Sequence, residues 1–154
     1  MTATAAPESI TVARANAPHV AVIGAGLAGL VTALRLRRAG ARVTLVTKGV
    51  GGLQLGHGTI DLLGYDPERV TNPAKGIEAF AAKHPEHPYA KIGVEAVRSG
   101  VELLSEILGE KLVNGSADEN VLVPTAVGAA RPTAFIPESM KAGVLHGDAK
   151  MVII

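Results

Sequence analysis

Apolar residues near the N-terminus follow three successive patterns, and each pattern marks an element. His19-Val-Ala-Val-Ile23 is an apolar strand that runs into a glycine-rich turn. From Leu27 the spacing becomes helical, with Leu27, Leu30, Val31 and Leu34 on one face of a helix predicted over Leu27–Arg38. Arg35, Arg37 and Arg38 crowd its last turn, where positive side chains suit the negative end of the helix dipole, and Gly40 stops it. Ala41-Arg-Val-Thr-Leu-Val-Thr47 then alternates as a second, parallel strand. Together these form a β-α-β unit.

The pattern beyond it is less regular. Asn72-Pro73 opens a short helix carrying Ile77 and Phe80, and Pro85 closes it. Residues 93–108 predict an amphipathic helix with Val94, Val97, Val101 and Leu104 along one stripe. Arg98 and Glu102 are expected to pair at i,i+4 on its wet side, and Gly109 ends it. The stretch from Asn120-Val-Leu-Val-Pro-Thr125 to Ala134-Phe-Ile-Pro137 is punctuated by prolines and suits short strands of a second lobe. The chain ends on Lys150-Met-Val-Ile-Ile154, an expected strand with nothing after it, which points to a shortened chain. The expected organisation is a disordered tail over residues 1–18, the β-α-β unit with its glycine loop over 19–65, and a helical insert with short strands over 66–154.

The turn between the first strand and helix is Gly24-Ala-Gly-Leu-Ala-Gly29, a Gly-x-Gly-x-x-Gly sequence. In this setting Gly24 allows a tight turn, Gly26 lets a phosphate approach the backbone, and Gly29 lets the helix pack closely on the strand. The helix start offers free N–H groups and a positive dipole end to that phosphate. Gly24, Gly26, Leu27, Ala28 and Gly29 are therefore the expected phosphate contacts of a Rossmann-like α/β domain with a parallel sheet. An acidic residue roughly 20 positions on normally binds the adenosine ribose. Here Thr47 and Lys48 stand at that point, so either the adenosine half binds unusually or the nucleotide is smaller. This substitution and the loop beyond it disfavour an NAD-dependent dehydrogenase. That loop, Gly49-Val-Gly-Gly-Leu-Gln-Leu-Gly-His-Gly58, holds five glycines in ten residues. Such a loop is conformationally costly to order and makes sense where backbone must pass close to a ligand.

Composition narrows the function further. Aromatic residues are only 3% of the chain and the net charge is +1, so stacking platforms and basic patches for nucleic acid are missing. With no cysteine there is no disulfide, no Cys-ligated zinc or iron–sulfur centre and no covalent flavin–cysteine link. No apolar run approaches the roughly 18 residues of a membrane span. Residues 1–17 do not form a secretory signal, so a cytoplasmic protein is expected. His84-Pro-Glu-His-Pro88 invites a metal reading, but its prolines exclude the helix that would place both imidazoles on one face, and a connector is expected instead. Arg131, in Arg131-Pro-Thr133, is the candidate clamp for a substrate phosphate or carboxylate, although surface arginines are commonly structural.

Taken together, Val22-Ile-Gly-Ala-Gly-Leu-Ala-Gly-Leu30, Val43-Thr-Leu-Val-Thr-Lys-Gly49, Gly58-Thr-Ile-Asp-Leu-Leu63 and His84-Pro-Glu-His-Pro-Tyr89 resemble the B subunit of anaerobic glycerol-3-phosphate dehydrogenase. Pro124-Thr125, Arg131-Pro-Thr133 and Pro137-Glu-Ser-Met140 continue the resemblance, which spans residues 19–154 but only the first third or so of a family member. It implies a flavin-dependent oxidoreductase in a three-part complex that converts sn-glycerol 3-phosphate to dihydroxyacetone phosphate. The implied partners are the catalytic flavoprotein, or A subunit, and the iron–sulfur, membrane-associated C subunit, which passes electrons to quinone and on to fumarate or nitrate. The implied cofactor is FMN, which lacks the adenosine ribose, with FAD as the alternative. On this basis Thr47 and Lys48 would meet the next part of the nucleotide, and Gly51, Gly52, His57, Gly58 and Thr59 would approach the flavin ring. His57 is the local candidate for proton transfer. The rival reading is a non-catalytic nucleotide-binding or electron-transfer scaffold that docks the catalytic partner.

Overall fold

A computed structural model describes residues 16–109 and 112–147 of the chain, which divides between His57 and Gly58 into two compact units. Residues 1–15 of the expected tail and the expected strand at Met151–Ile154 lie outside the described residues.

In the first unit β1 (His19–Ile23) leads into α1 (Leu27–Arg38) and then β2 (Arg42–Val46). The strands are parallel, in register from His19 opposite Arg42 to Ile23 opposite Val46. Parallel neighbours need a crossover, and α1 supplies it. Arg37 Nη1 donates to the Ala41 carbonyl at 3.0 Å, tying the helix end to the start of β2. The helix lies closest to the strand turn at Gly29, where a Cβ would stand 2.0 Å from the Gly24 carbonyl oxygen and 3.7 Å from Val22 Cγ1. The expected apolar face of α1 is only partly covered: none of its residues is fully buried, and Leu27 and Leu30 stay exposed. Among the described residues the two strands of this unit make too narrow a floor to cover a helical face.

The second unit is built from shorter pieces. β3 (Tyr65–Asp66) pairs antiparallel with β4 (Glu68–Arg69). Two helices follow, α2 (Pro73–Lys83) and α3 (Pro88–Leu108), the latter broken by non-helical backbone at Gly93. β5 (Asn114–Gly115) pairs with β8 (Phe135–Ile136), and β6 (Val121–Pro124) with β7 (Ala130–Thr133), both antiparallel. Ile60 joins this region by accepting the Ala134 N–H at 3.1 Å and donating to the Phe135 carbonyl at 3.0 Å. Ala74, Val101, Val113, Ala117, Ala134 and Phe135 form the main core, with Val94 packed against it. A second cluster holds Val123, Ile136 and Val144.

The two histidines of the proline segment sit at helix ends. His84 caps the C-terminus of α2, and His87 caps α3, its Nδ1 accepting the Tyr89 N–H at 3.1 Å. Both rings pack on Phe80, at centroid distances of 4.3 and 4.9 Å. Burial raises the Tyr89 phenol pKa, and its hydroxyl donates to the Leu62 carbonyl.

One expected pair is corrected. Arg98 does not turn to Glu102 but donates both terminal nitrogens to Asp118, at 2.8 and 2.6 Å. The planar guanidinium fork matches a carboxylate presented end-on, a geometry worth more than a neighbour four residues along a wet helix face.

Candidate functional site

Three helices of the described chain begin in two different ways. At α2 the Asn72 side chain accepts the Lys75 N–H at 2.9 Å, and at α3 His87 does the same for Tyr89. These protein groups satisfy donors that a helix start leaves without intrahelical partners. At α1 the capping residue is Gly26, which has no side chain to offer, and the first turn contains no acidic residue. The amides of Leu27, Ala28 and Gly29 and the positive dipole end are therefore left to something else.

The turn leading to them is well braced. Gly24 takes φ +104°, a conformation that favours glycine, and its N–H donates to the Val46 carbonyl at 2.8 Å. Gly29 must be glycine because of its approach to the Gly24 carbonyl. Gly26 differs from both. Its φ of −74° suits any residue, and a Cβ there would meet nothing within 4 Å. Neither backbone conformation nor internal packing accounts for glycine at this position, while an anion drawn against the backbone would need that space. The residues thus fit a nucleotide phosphate, by the chemistry of an uncapped helix start and the open space over Gly26.

The remaining expected contacts fall into two groups. In the first unit Thr47 follows β2, and its hydroxyl accepts the Gly49 N–H at 3.0 Å and donates to the Gly49 carbonyl. Lys48 and Gly52 are exposed, as is His57. Gly51 lies against the glycine turn: a Cβ on it would stand 2.7 Å from Gly26 N and 2.8 Å from Gly26 Cα. In the second unit Gly58 packs on Pro137, and Thr59 accepts a hydrogen bond from Arg131 Nη2 at 2.8 Å. Arg131 Nη1 also meets Asp61 at 3.3 Å, so the expected anion clamp already has a carboxylate partner.

Sequence reasoning missed Asp61 in that role, and it missed Asn120, whose amide donates at 2.8 Å to both the Leu63 and Val70 carbonyls. Nothing in the local pattern signals either. The Thr47 turn had a signal, the Thr-Lys-Gly sequence, since threonine hydroxyls commonly bond backbone two residues on. Among the described residues no group of three or more acidic or histidine side chains is placed to hold a metal ion, and no helix is long and apolar enough to cross a membrane.

A family model described as an FAD binding domain matches residues 19–153. The chain belongs to this FAD-binding family. That match bears out the expected flavin and the Rossmann-like reading, and it gives no support to FMN. Among curated relatives, the chain is 33% identical over 136 residues to the probable B subunit of anaerobic glycerol-3-phosphate dehydrogenase from Halobacterium salinarum, covering 88% of this chain and 32% of that one. It is 37% identical over 134 residues to the B subunit of the same enzyme from Yersinia enterocolitica, covering 83% and 31%. The B subunit from Mannheimia succiniciproducens is 35% identical over 133 residues, with the same coverage. The expected resemblance is borne out, and the chain spans about a third of the length of the curated relatives it matches. No solved structure matches it.

Proposed function

We propose that this chain carries the FAD phosphate site of the B subunit of a glycerol-3-phosphate dehydrogenase. The observation that carries the reading is the uncapped start of α1 behind an unconstrained Gly26, in a chain similar to several such subunits. The amides of Leu27, Ala28 and Gly29 would hold the phosphates, and Lys48 would add positive charge at the end of β2. Flavin bound there supplies a two-electron acceptor. The whole protein would oxidise sn-glycerol 3-phosphate to dihydroxyacetone phosphate in the cytoplasm. Partner subunits, a catalytic flavoprotein and an iron–sulfur protein at the membrane, would take the electrons toward quinone.

Within this reading His57, exposed at the end of the glycine loop, is the candidate to accept the substrate hydroxyl proton, since an imidazole carries a ring nitrogen that can take one. Arg131 is the candidate for the substrate phosphate. Its partner Asp61 is 44% exposed, so an arriving dianion would compete with that carboxylate for the guanidinium.

FAD titration by absorbance and fluorescence tests the reading. The 154-residue chain is expected to bind FAD, and Gly26→Val to abolish binding while helical circular dichroism persists. Absence of FAD binding by the parent chain, or equal binding by both proteins, would remove the assignment.

A further inference from the structure

We infer that Thr47 and Gly51 are positioning residues that brace the phosphate turn, with Thr47 acting as a turn lock rather than a ribose ligand. The purpose of this brace rests on the flavin reading above, but its geometry does not. The Thr47 hydroxyl has one proton and two lone pairs. Its proton goes to the Gly49 carbonyl, and one lone pair takes the Gly49 N–H at 3.0 Å. A ribose diol asks for two acceptors at once, as a carboxylate offers, and Thr47 has a single lone pair left.

What the lock does is fold the chain back immediately after β2. Two residues later Gly51, at φ +66°, stands with its Cα against the Gly26 backbone, where a Cβ would lie 2.7 Å from N, 2.8 Å from Cα and 3.0 Å from the Ala25 carbonyl carbon. The contact is particular to Gly51, because its neighbour Gly52 has open space at its Cβ position. The strand end therefore holds the phosphate turn at two points, the Val46 carbonyl on the Gly24 N–H and Gly51 on Gly26. Fixing Gly26 fixes the direction of the amides that follow it, and donors held in place before binding cost less to order on binding. Loop 49–57 is thus read as the back wall of the phosphate site.

The test uses the whole chain with Thr47→Val, which keeps shape and loses the hydroxyl, and Thr47→Ser, which keeps it. In the ligand-free protein Thr47→Val is expected to move the Gly26 and Leu27 amide resonances and to spare those of Leu34–Arg38, with Thr47→Ser restoring them. With ADP and adenosine as probes, Thr47→Val should weaken ADP about tenfold and leave adenosine within about twofold. Gly51→Ala should act in the same direction, and Gly52→Ala should leave the amide resonances of Gly26 unmoved. Unshifted Gly26 and Leu27 resonances in Thr47→Val would overturn the inference. So would equal losses of ADP and adenosine, which would make Thr47 a ribose ligand. If the parent bound neither ADP nor FAD, the flavin reading would fail on its own, and the amide resonances would still decide the brace.

Discussion

The two units of this chain are ordered by different means. The first sets a twelve-residue helix between two five-residue parallel strands, yet among its described residues only Val22 and Ala41 are buried. Ile23 at 86% and Leu55 at 91% exposure show how little of its apolar surface is covered. The second unit has strands of two to four residues and a broken helix, yet it buries Ile77, Val101, Leu104, Val123, Phe135 and Ile136. Parallel sheets are normally covered on both faces. Paired parallel strands and a deep core are thus separable: the first unit is ordered mainly by main-chain pairing, and the other is held by buried side chains.

That contrast can be broken most directly in the core. Ile77 is 0% exposed, and Ile77→Ala should cost about 3 kcal/mol, whereas Leu30→Ala in α1, at 38% exposure, should cost less than about 1 kcal/mol. Urea denaturation followed by unit-specific amide resonances measures both, and equal costs would erase the distinction. Next comes Gly29→Ala, whose Cβ would enter the Gly24 carbonyl; it should destabilise the first unit by about 2 kcal/mol. Gly26→Ala, with open space at its Cβ, should stay within about 0.5 kcal/mol of the parent in the same measurement.

Helix starts sharpen the comparison at smaller amplitude. Asn72→Ala removes the α2 cap and should cost about 1 kcal/mol, while Gly26→Ser should give α1 a cap and lower FAD affinity by competing for the same amides. The smallest effect belongs to the surface. The hydrogen bond from Arg98 holds the Asp118 carboxyl below its usual pKa. Its folded value is depressed, so the pair's contribution is present above about pH 4 and is lost as pH falls through the folded value. In an acid titration of stability, Asp118→Asn should remove that part of the slope, lying slightly below the parent at neutral pH and meeting it in acid.

Local signals were legible in the sequence and distant ones were not. The β1–α1–β2 order, the Asn72-Pro73 helix start and the proline-bounded break between α2 and α3 all rest on neighbours within a few residues. Gly29 was readable for the same reason, since its partner Gly24 lies in the same motif. Arg98 was misread because the i,i+4 rule sees only Glu102, whereas its partner lies 20 residues on in another element. Asp61 beside Arg131, and the Asn120 amide over Leu63 and Val70, depend on chain segments that only the fold brings together. At the candidate site the glycines were legible as a motif. Which glycines the fold itself requires depends on packing that the motif does not show: Gly29 and Gly51 lie against backbone, while Gly26 has open space at its Cβ position.

The hydrogen bond from Thr133 to Ile60 sets a timetable for the chain's own making. It links positions 73 residues apart, while the His19–Thr44 contact across the parallel pair spans 25. Contacts between distant positions close slowly, and during synthesis they wait for the later partner. On the ribosome the β-α-β segment is available to form as soon as Val46 has emerged. Residues 58–109 must remain without their closing strands until β7 and β8 are made. In that interval Ile60 and the apolar stripe of α3 are surface, so slow translation before Ala130 would prolong the stage at which this chain is most open to aggregation and to chaperones.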